Sequence, residues 1–308
     1  MNKVFKANGK LLLTGEYLVV NGARALVLPL FAGQKMSVNR SITMKHILWK
    51  SYQLEKLWFQ CEINQDDFKI ITTTNEQIAE KLITLFKAIK KINSMAFLSD
   101  NGIEFITELD FLREWGWGSS STLLSLLSQW SDTNPYELYF QLFSGSAFDI
   151  AASYIQKPFL YRLQDNRPEI TETGFDPPYK ENLFFVYLGE KQHSEREIKS
   201  YKKKYKPDMK LIDRISGIGE EILSCGELNQ FEQLISEHEE LMSGFLHRKP
   251  VKKKMFSDYT EGLVKSLGAW GGDFALFTCS AGREYLEDYL EKKKVPTLFS
   301  FQEIVRNL

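Results

Sequence analysis

The chain has 308 residues, 43% of them hydrophobic and 26% charged, and its 39 Lys and Arg side chains nearly balance 40 Asp and Glu. This composition excludes a mainly disordered chain. The formal net charge of −1 excludes a global positive field that would collect nucleic acid or an anionic membrane. At roughly 100–200 residues per domain, the length predicts two domains.

The cysteines and the hydropathy pattern bear on the compartment. Cys61, Cys225 and Cys279 are far apart and show no CxxC spacing, so neither a disulfide framework nor a zinc cluster is predicted. The polar N-terminal stretch lacks the apolar core of a signal peptide, and the sequence contains no run of roughly 18 apolar residues. We therefore expect a cytoplasmic protein in a reducing compartment, without export or membrane insertion.

The first forty residues predict an antiparallel β segment. Lys10–Leu13 and Tyr17–Val20 are rich in Leu and Val, and the short Thr14–Glu16 between them is turn-like. Asn21-Gly22 is a strong hairpin signal before the apolar run Ala25–Leu30. Further strands are predicted at Ile47–Tyr52, Leu57–Ile63 and Phe68–Ile71.

After these strands, the spacing of the apolar residues becomes that of a helix. Thr74 with Gln77 has the spacing of a capping box, and apolar residues recur at helical spacing after it, which predicts a helix over Glu76–Ile92. The segments that follow alternate between strand-like and helix-like patterns. They are a strand at Ile103–Leu109, helices at Thr122–Trp130, Pro135–Phe143 and Phe148–Ile155, and a strand at Phe159–Leu163.

A domain boundary is predicted near Gln164–Lys180, which carries three prolines and no sustained periodicity. The predicted domains are therefore residues 1–170 and 171–308. Strands and helices follow beyond the boundary without regular alternation, with strands at Leu183–Leu188, at Phe274–Cys279 and near Leu298. This irregular mixture favours the α+β class over a doubly wound sheet.

The first of three glycine-rich loops, Gly116-Trp117-Gly118-Ser119-Ser120-Ser121, leads directly into a leucine-rich helix. Glycines let the backbone approach a ligand, and a helix start presents free N–H groups, so the loop suits a phosphate. The serine hydroxyls suit phosphate oxygens or Mg²⁺. The loop matches neither the P-loop nor GxGxxG, and a plain helix cap is the alternative interpretation.

The other two loops are Ser266–Asp273, with Gly268, Gly271 and Gly272, and Gly145–Ala152, with Asp149. Three glycines cost backbone entropy that a simple turn does not require, so a ligand is expected near the first of these loops. A tight turn under Trp270 is the alternative. Asp149 lies in the first turn of a predicted helix, where its carboxylate could accept a proton from a substrate hydroxyl or orient that hydroxyl. Its alternative is an ordinary cap.

Together these segments resemble the GHMP kinases. ANGKLLLTGEYLVVNGARALVLPL resembles the opening motif of that family, GWGSSST its phosphate loop and SLGAWGGDFALF its third motif, in the family's order over residues 7 to 280. GSAFDIAASYIQKPFLYRL is similar to the mevalonate-pathway branch, and to phosphomevalonate kinases in particular. Trp117, Ser121, Thr122 and Trp270 depart from the usual residues of these motifs.

The resemblance implies a two-domain GHMP kinase fold, with an N-terminal ribosomal-protein-S5-like domain, a C-terminal ferredoxin-like domain and an active site in the cleft between them. It also implies ATP and Mg²⁺ as cofactors. The implied roles are ATP binding by Gly116, Trp117, Gly118, Ser119, Ser120, Ser121, Gly268, Gly271 and Gly272, Mg²⁺ binding by Ser120, catalysis by Asp149 and Lys10, and a substrate-side carboxylate at Glu16.

The expected reaction is ATP-dependent phosphoryl transfer to a small mevalonate-type acid, mevalonate or phosphomevalonate, in isoprenoid precursor synthesis. Lys191, Ser194 and Arg196 are candidate clamps for the carboxylate or phosphate of that acid, and a solvated loop is the alternative. Two other functions stay open, a diphosphomevalonate decarboxylase on the same fold and a non-catalytic nucleotide-binding protein. The expected partner is a small molecule, not nucleic acid or membrane, for a monomer or homodimer.

Overall fold

A computed structural model of the chain describes residues 3–99, 101–189, 194–268, 270 and 273–307. Its contacts divide the chain into two units. Unit 1 comprises Met1–Gly9, Ala32–Arg113 and Trp117–Tyr154, and unit 2 comprises Lys10–Phe31, Glu114–Gly116 and Ile155–Leu308. Each unit draws on separated stretches of chain. The predicted domains 1–170 and 171–308 stay a prediction.

Strands and helices occur in both units, and the first two strands contribute residues to each. The strands are β1 (Lys3–Leu12), β2 (Ala25–Ser41), β3 (His46–Gln53), β4 (Lys56–Asn64), β5 (Ile70–Thr73), β6 (Gly102–Leu109), β7 (Phe159–Gln164), β8 (Arg167–Glu172), β9 (Leu183–Tyr187), β10 (Val264–Ser266), β11 (Phe274–Thr278) and β12 (Leu298–Ser300). The α-helices are α1 (Glu76–Ile92), α2 (Ser119–Ser131), α3 (Pro135–Leu142), α4 (Phe148–Ala152), α5 (Ser194–Lys204), α6 (Met209–Leu223), α7 (Leu228–Leu246), α8 (Val251–Met255), α9 (Arg283–Lys292) and α10 (Phe301–Ile304).

Unit 1 is built on the strand order β5-β4-β3-β6-β2. Strands β3 and β6 are parallel, and the other neighbours are antiparallel. Aromatic side chains fill the core of this unit, with the ring of Trp49 on β3 5.1 Å from Phe105 on β6 and 5.9 Å from Phe86 on α1. The buried residues of α1 recur every three or four positions, which is why this helix was recognisable from sequence alone.

Unit 2 holds a separate antiparallel sheet in the order β10-β11-β9-β12. Its core includes Phe256 and Phe277, whose rings are 5.0 Å apart, together with Leu286 and Leu290 of α9. Strands β7 and β8 form a hairpin, and β7 pairs with residues 25–27 of β2. Of the helices that the described residues form, none has the length and apolar character needed to cross a membrane.

Several sequence predictions are wrong in detail. Tyr17–Val20 is not a strand: Tyr17 has φ 62°, outside the extended region, and Leu18–Asn21 is a 3₁₀ turn. The cap of α1 is Asn75, whose side chain accepts the Ile78 N–H, and not Thr74. Strand β8 and helix α5 were missed because their sequences are mostly polar and carry no clear apolar period.

Candidate functional site

The Gly/Ser loop ends at the N-terminus of α2. Gly118 takes φ 91° immediately before the helix, a conformation that favours glycine. The Ser121 hydroxyl donates to the Gly118 carbonyl at 2.9 Å, and the Thr122 hydroxyl donates to Gln34 Oε1 at 2.7 Å. These two hydroxyls therefore hold the helix start in place, whereas the Ser120 side chain is exposed.

Trp117, inside the same loop, is a core residue of unit 1. Its side chain is 1% exposed, and its ring lies 5.6 Å from that of Phe111. The β1 backbone passes close to this point, since a Cβ on Gly9 would lie 3.2 Å from the Trp117 carbonyl oxygen. Trp117 thus fills interior space beside Phe111. Its predicted contact with nucleotide stays a prediction.

Unit 1 also places the Asp149 helix against the phosphate-loop helix. Ser153, which follows α4, has its hydroxyl oxygen 2.7 Å from that of Ser125 on α2, and both side chains are buried. Asp149 lies in the first turn of α4, half-buried, and its Oδ1 accepts the Ile150 N–H at 3.1 Å. The carboxylate predicted to act in catalysis and the helix start predicted to bind phosphate therefore belong to one packed unit.

In unit 2 two predicted glycines lie beside Asp273, and the predicted lysine contacts one of them. Lys10 Nζ donates to the Gly116 carbonyl at 2.8 Å. Gly116 takes φ 68°, and a Cβ there would lie 2.7 Å from Asp273 Oδ2. Gly268 takes φ 65°, and its Cβ would lie 3.6 Å from the same oxygen. The start of the Gly/Ser loop and the third-motif loop thus meet at one carboxylate. The positive φ favours glycine at both positions, and at Gly116 the close approach of Asp273 also leaves no room for a side chain.

Glu16 lies in a buried ionic cluster of unit 2. Its Oε1 accepts from Lys265 Nζ at 2.6 Å, and its Oε2 lies 3.2 Å from His238 Nε2. The same ring nitrogen accepts the Gly15 N–H at 3.2 Å. Lys265 Nζ is also 3.6 Å from Glu239 Oε1. We call Glu16, His238, Glu239 and Lys265 the buried cluster, and each member is 5% exposed or less.

The ionisation of the buried cluster follows from burial and from Lys265. Burial alone would raise the pKa of Glu16, but the charge of Lys265, the nearby His238 and the hydrogen bond from Lys265 bring this pKa below its ordinary value. Burial, reinforced by Lys265, lowers the pKa of His238. Burial raises the pKa of Glu239 to about 7. Near neutral pH Glu16 is therefore ionised, His238 is neutral, and Glu239 binds a proton far more readily than an ordinary glutamate does.

The tyrosine after Glu16 makes a second set of contacts in unit 2. The Tyr17 hydroxyl donates to Glu197 Oε2 at 3.1 Å, and Arg248 pairs with the same carboxylate at 2.9 Å. Burial raises the pKa of Tyr17, so its hydroxyl remains protonated. Glu197 lies on α5 next to Arg196, whose side chain is exposed. The substrate role of Arg196 stays a prediction.

Several predicted site residues lie outside the described part of the chain. Lys191, Gly271 and Gly272 are among them, as is the side chain of Ser194. Glu16 is described, but its carboxylate lies inside the buried cluster and is 1% exposed. Its substrate role stays a prediction, and the structure gives it partners that the sequence did not indicate.

Sequence reasoning missed the roles of four residues: His238, Glu239, Lys265 and Asp273. The contact between Lys265 and Glu16 spans 249 positions of sequence, so no local pattern predicts it. One signal was present: Lys265 stands between Val264 and Ser266 in a short segment whose three residues are all buried. A lysine inside such a segment requires a buried partner.

The sequence matches no family model and no curated protein. Solved structures do match the chain over nearly its full length. The Methanococcus jannaschii mevalonate kinase has a TM-score of 0.70 at 16% identity, covering 100% of this chain and 99% of that one. The Streptococcus pneumoniae phosphomevalonate kinase in complex with phosphomevalonate and AMPPNP has a TM-score of 0.68 at 13% identity, covering 97% and 99%.

A third similar structure, the Lactococcus lactis galactokinase complexed with galactose, has a TM-score of 0.67 at 14% identity and covers 99% of this chain and 94% of that one. All three are GHMP kinases. The chain therefore has the GHMP kinase fold, and the predicted α+β mixture of helices and strands is confirmed. The described strands form two sheets. Identities of 13–16% establish the fold and do not identify a substrate.

Proposed function

Starting from the GHMP kinase fold, we propose that this protein is a small-molecule kinase that transfers the γ-phosphoryl group of ATP to a mevalonate-type acid. One observation carries the proposal. In unit 1 the start of α2, with Gly118 at φ 91° and an exposed Ser120, is packed through Ser125 and Ser153 against the helix that carries Asp149. A phosphate-binding helix start and a carboxylate in one packed unit are what phosphoryl transfer requires of a protein.

The residues fit a nucleotide triphosphate. The first turn of α2 presents backbone N–H groups and the positive end of the helix dipole, and it contains no acidic residue. Gly118 leaves the approach to these N–H groups free of a side chain. Lys10, held by the Gly116 carbonyl, adds a cation beside the first glycine of the loop. We assign residues 116–121 to the ATP phosphates and Lys10 to neutralising the charge that develops on the transferred group.

Magnesium fits the same place, with Ser120 as its protein ligand. Mg²⁺ prefers oxygen ligands and commonly keeps waters while bridging substrate phosphates. The exposed Ser120 hydroxyl at the start of α2 suits that arrangement. When bound, the ion would supply positive charge to the phosphate oxygens.

Asp149 is assigned to the acceptor. For a hydroxyl acceptor its carboxylate orients the O–H group and accepts its proton, while the acceptor oxygen bonds to the γ-phosphorus and ADP departs. The hydrogen bond from Ile150 N–H to Asp149 Oδ1 and the packing of α4 on α2 fix the position of this carboxylate. A phosphate acceptor, as in phosphomevalonate, would be ionised already and would need Asp149 only for orientation.

A substrate panel tests the proposal. Purified protein is incubated with Mg-ATP and, separately, with mevalonate, phosphomevalonate, diphosphomevalonate and galactose, and ADP is measured. ADP release that depends on mevalonate or phosphomevalonate is the expected result. Release of CO₂ from diphosphomevalonate would identify the decarboxylase instead. Binding of Mg-ATP without turnover of any acid would favour the non-catalytic alternative.

Variants of Asp149 test the mechanism. We expect Asp149→Asn to lower turnover of a hydroxyl acceptor by roughly 10²–10⁴-fold while Mg-ATP still binds. The matched control is Asp132→Asn, the same chemical change at an exposed position at the end of α2. Equal turnover of the parent and Asp149→Asn would remove Asp149 from the mechanism.

Variants of Ser120 test the metal assignment. We expect Ser120→Ala to raise the Mg²⁺ concentration needed for half-maximal activity, and Ser120→Thr, which keeps the hydroxyl, to restore much of the loss. The same Mg²⁺ dependence in the parent and Ser120→Ala would contradict the role of Ser120 as a ligand.

A further inference from the structure

The buried cluster connects the turn that contains Glu16 with the loop that contains the third glycine motif. Glu16 lies in the turn after β1, and Lys265 lies on β10, three residues before Gly268. Their side chains meet at 2.6 Å in the interior of unit 2. Two of the three motifs that resemble the GHMP kinases are therefore joined by one buried ion pair.

Helix α7 holds both segments through adjacent residues. His238 Nε2 accepts the Gly15 N–H at 3.2 Å, in the Glu16 turn. Glu239 Oε2 accepts from the Ser266 N–H at 3.1 Å and from the Ser266 hydroxyl at 3.0 Å, at the start of the glycine loop. Successive helical residues point in different directions, so two neighbours on α7 reach two separate segments.

These contacts are sensitive to small displacements. A carboxylate and an ammonium group that are both removed from water are stable only when they stay paired at close range. Three buried polar atoms, Glu16 Oε2, His238 Nδ1 and Glu239 Oε1, have no hydrogen-bond partner among the described residues. The cluster therefore offers no alternative hydrogen bonds among these atoms, and moving either segment would leave a buried charge without its partner.

The loop that follows Lys265 continues to the predicted phosphate site. Beyond Gly268 it reaches Asp273, whose Oδ2 lies against Gly116, and the Gly116 carbonyl in turn binds Lys10. Strand β10 pairs with β11, with Ser266 opposite Ala275, and Asp273 directly precedes β11. A shift of β10 relative to the Glu16 turn would therefore be transmitted through this strand pair to Asp273 and Gly116. Glu16 itself, at 1% exposure, is not at a surface that a substrate contacts.

We propose that Glu16 and Lys265 are a positioning pair: they set Gly268 and Asp273 of the third glycine loop for nucleotide binding, and Glu16 does not bind the acceptor. The expected consequence of the pair is tighter binding of Mg-ATP, and this part of the inference rests on the proposed kinase function. The pairing also predicts a local effect without nucleotide, namely that the amides of residues 264–268 and 273–276 exchange slowly with solvent because the pair holds these two segments.

The test compares Glu16→Gln, Lys265→Met and the double variant with the parent. We expect each single change to weaken Mg-ATP binding, followed by tryptophan fluorescence or calorimetry, by tenfold or more. Hydrogen exchange at residues 264–268 and 273–276 should accelerate at least tenfold, with α9 unchanged as the reference. The double variant should recover part of both losses, because it leaves no buried charge unpaired.

The matched control is the pair of Lys293 and Asp258, whose atoms are 2.7 Å apart near the surface of the same unit. Lys293→Met and Asp258→Asn make the same kinds of change without a buried charge, and we expect less than a twofold effect on both measurements. If the neutral variants do not fold, Glu16→Asp keeps the charge and shortens the side chain. Glu16→Asp should still accelerate amide exchange at residues 264–268 and 273–276 more than it accelerates amide exchange in α9.

Two outcomes would overturn the inference. One is Glu16→Gln with parental Mg-ATP affinity and loop exchange but a raised KM for the acceptor, which would make Glu16 a substrate ligand. The other is equal acceleration of exchange in the loop and in α9, which would reduce the pair to a general contribution to stability. A parent that does not bind Mg-ATP would refute the proposed function, whereas the exchange measurement would still decide whether the pair positions the loop.

Discussion

The stability of the protein should depend on pH through Glu239, and Glu239→Gln should remove that dependence. Glu239 is 5% exposed and faces Lys265 at 3.6 Å, with Glu16 and His238 in the same cluster. Lys265 already neutralises Glu16, so a second ionised carboxylate leaves the cluster with an excess negative charge in the interior. Glutamine keeps an oxygen that accepts from Ser266 but cannot ionise.

The magnitude follows from the pKa. Burial raises the pKa of Glu239 from 4.5 to about 7, and a difference of one pH unit corresponds to about 1.4 kcal/mol. The folded protein binds this proton more tightly than the unfolded chain does. Glu239 therefore lowers the free energy of unfolding as pH rises from about 4.5 to 7, by roughly 3 kcal/mol in total, with no further change above that range.

Urea unfolding of the full chain at pH 5, 6, 7 and 8, followed by tryptophan fluorescence, measures this effect. We expect the parent to lose roughly 2.5 kcal/mol more than Glu239→Gln between pH 5 and pH 8, because part of the total loss has already occurred by pH 5. The control is Glu240→Gln, at the exposed neighbouring position on α7. Its free energy of unfolding should change with pH as that of the parent does. Parallel pH profiles for the parent and Glu239→Gln would show that Glu239 ionises normally, and the argument from burial would then be wrong.

Three further changes test the packing of the loops and helices. Gly116→Ala should weaken Mg-ATP binding at least tenfold in a fluorescence titration, because φ is 68° and the new Cβ would lie 2.7 Å from Asp273 Oδ2. An unchanged affinity would contradict the requirement for glycine at this position. Trp117→Leu should cost roughly 2–4 kcal/mol in urea unfolding by leaving a cavity beside Phe111, and a loss below about 1 kcal/mol would contradict its place in the core. Asn134→Ala should cost about 1 kcal/mol in the same assay, since its side chain accepts two N–H groups at the start of α3; an unchanged midpoint would remove it as a cap.

Local features of the sequence predicted local features of the structure. The apolar period over residues 76–92 predicted α1 with the bounds that it has, and the Asn134-Pro135 pair predicted the start of α3. Both signals depend on residues within a few positions of one another. The glycines at 116, 118 and 268 were recognised as unusual, and each has the positive φ that favours glycine.

Local signals failed where contacts distant in sequence decided the conformation. Leu and Val at 18–20 favour a strand. The chain instead turns at Tyr17, where buried contacts with His238 and Lys265 hold the two preceding residues. Helix α5 was missed for another reason, because its mostly polar sequence has no clear apolar period from which a helix could be predicted.

The sequence by itself determined which residue types are available: a Gly/Ser helix start, an aspartate in a short helix, and a lysine and a glutamate in the opening motif. Only the tertiary structure decided which of them meet. It placed Ser153 against Ser125, Asp273 against Gly116, and Lys265 against Glu16 across 249 positions. A buried charge requires a partner, but any of many residues can meet that requirement, so its identity depends on how the whole chain packs.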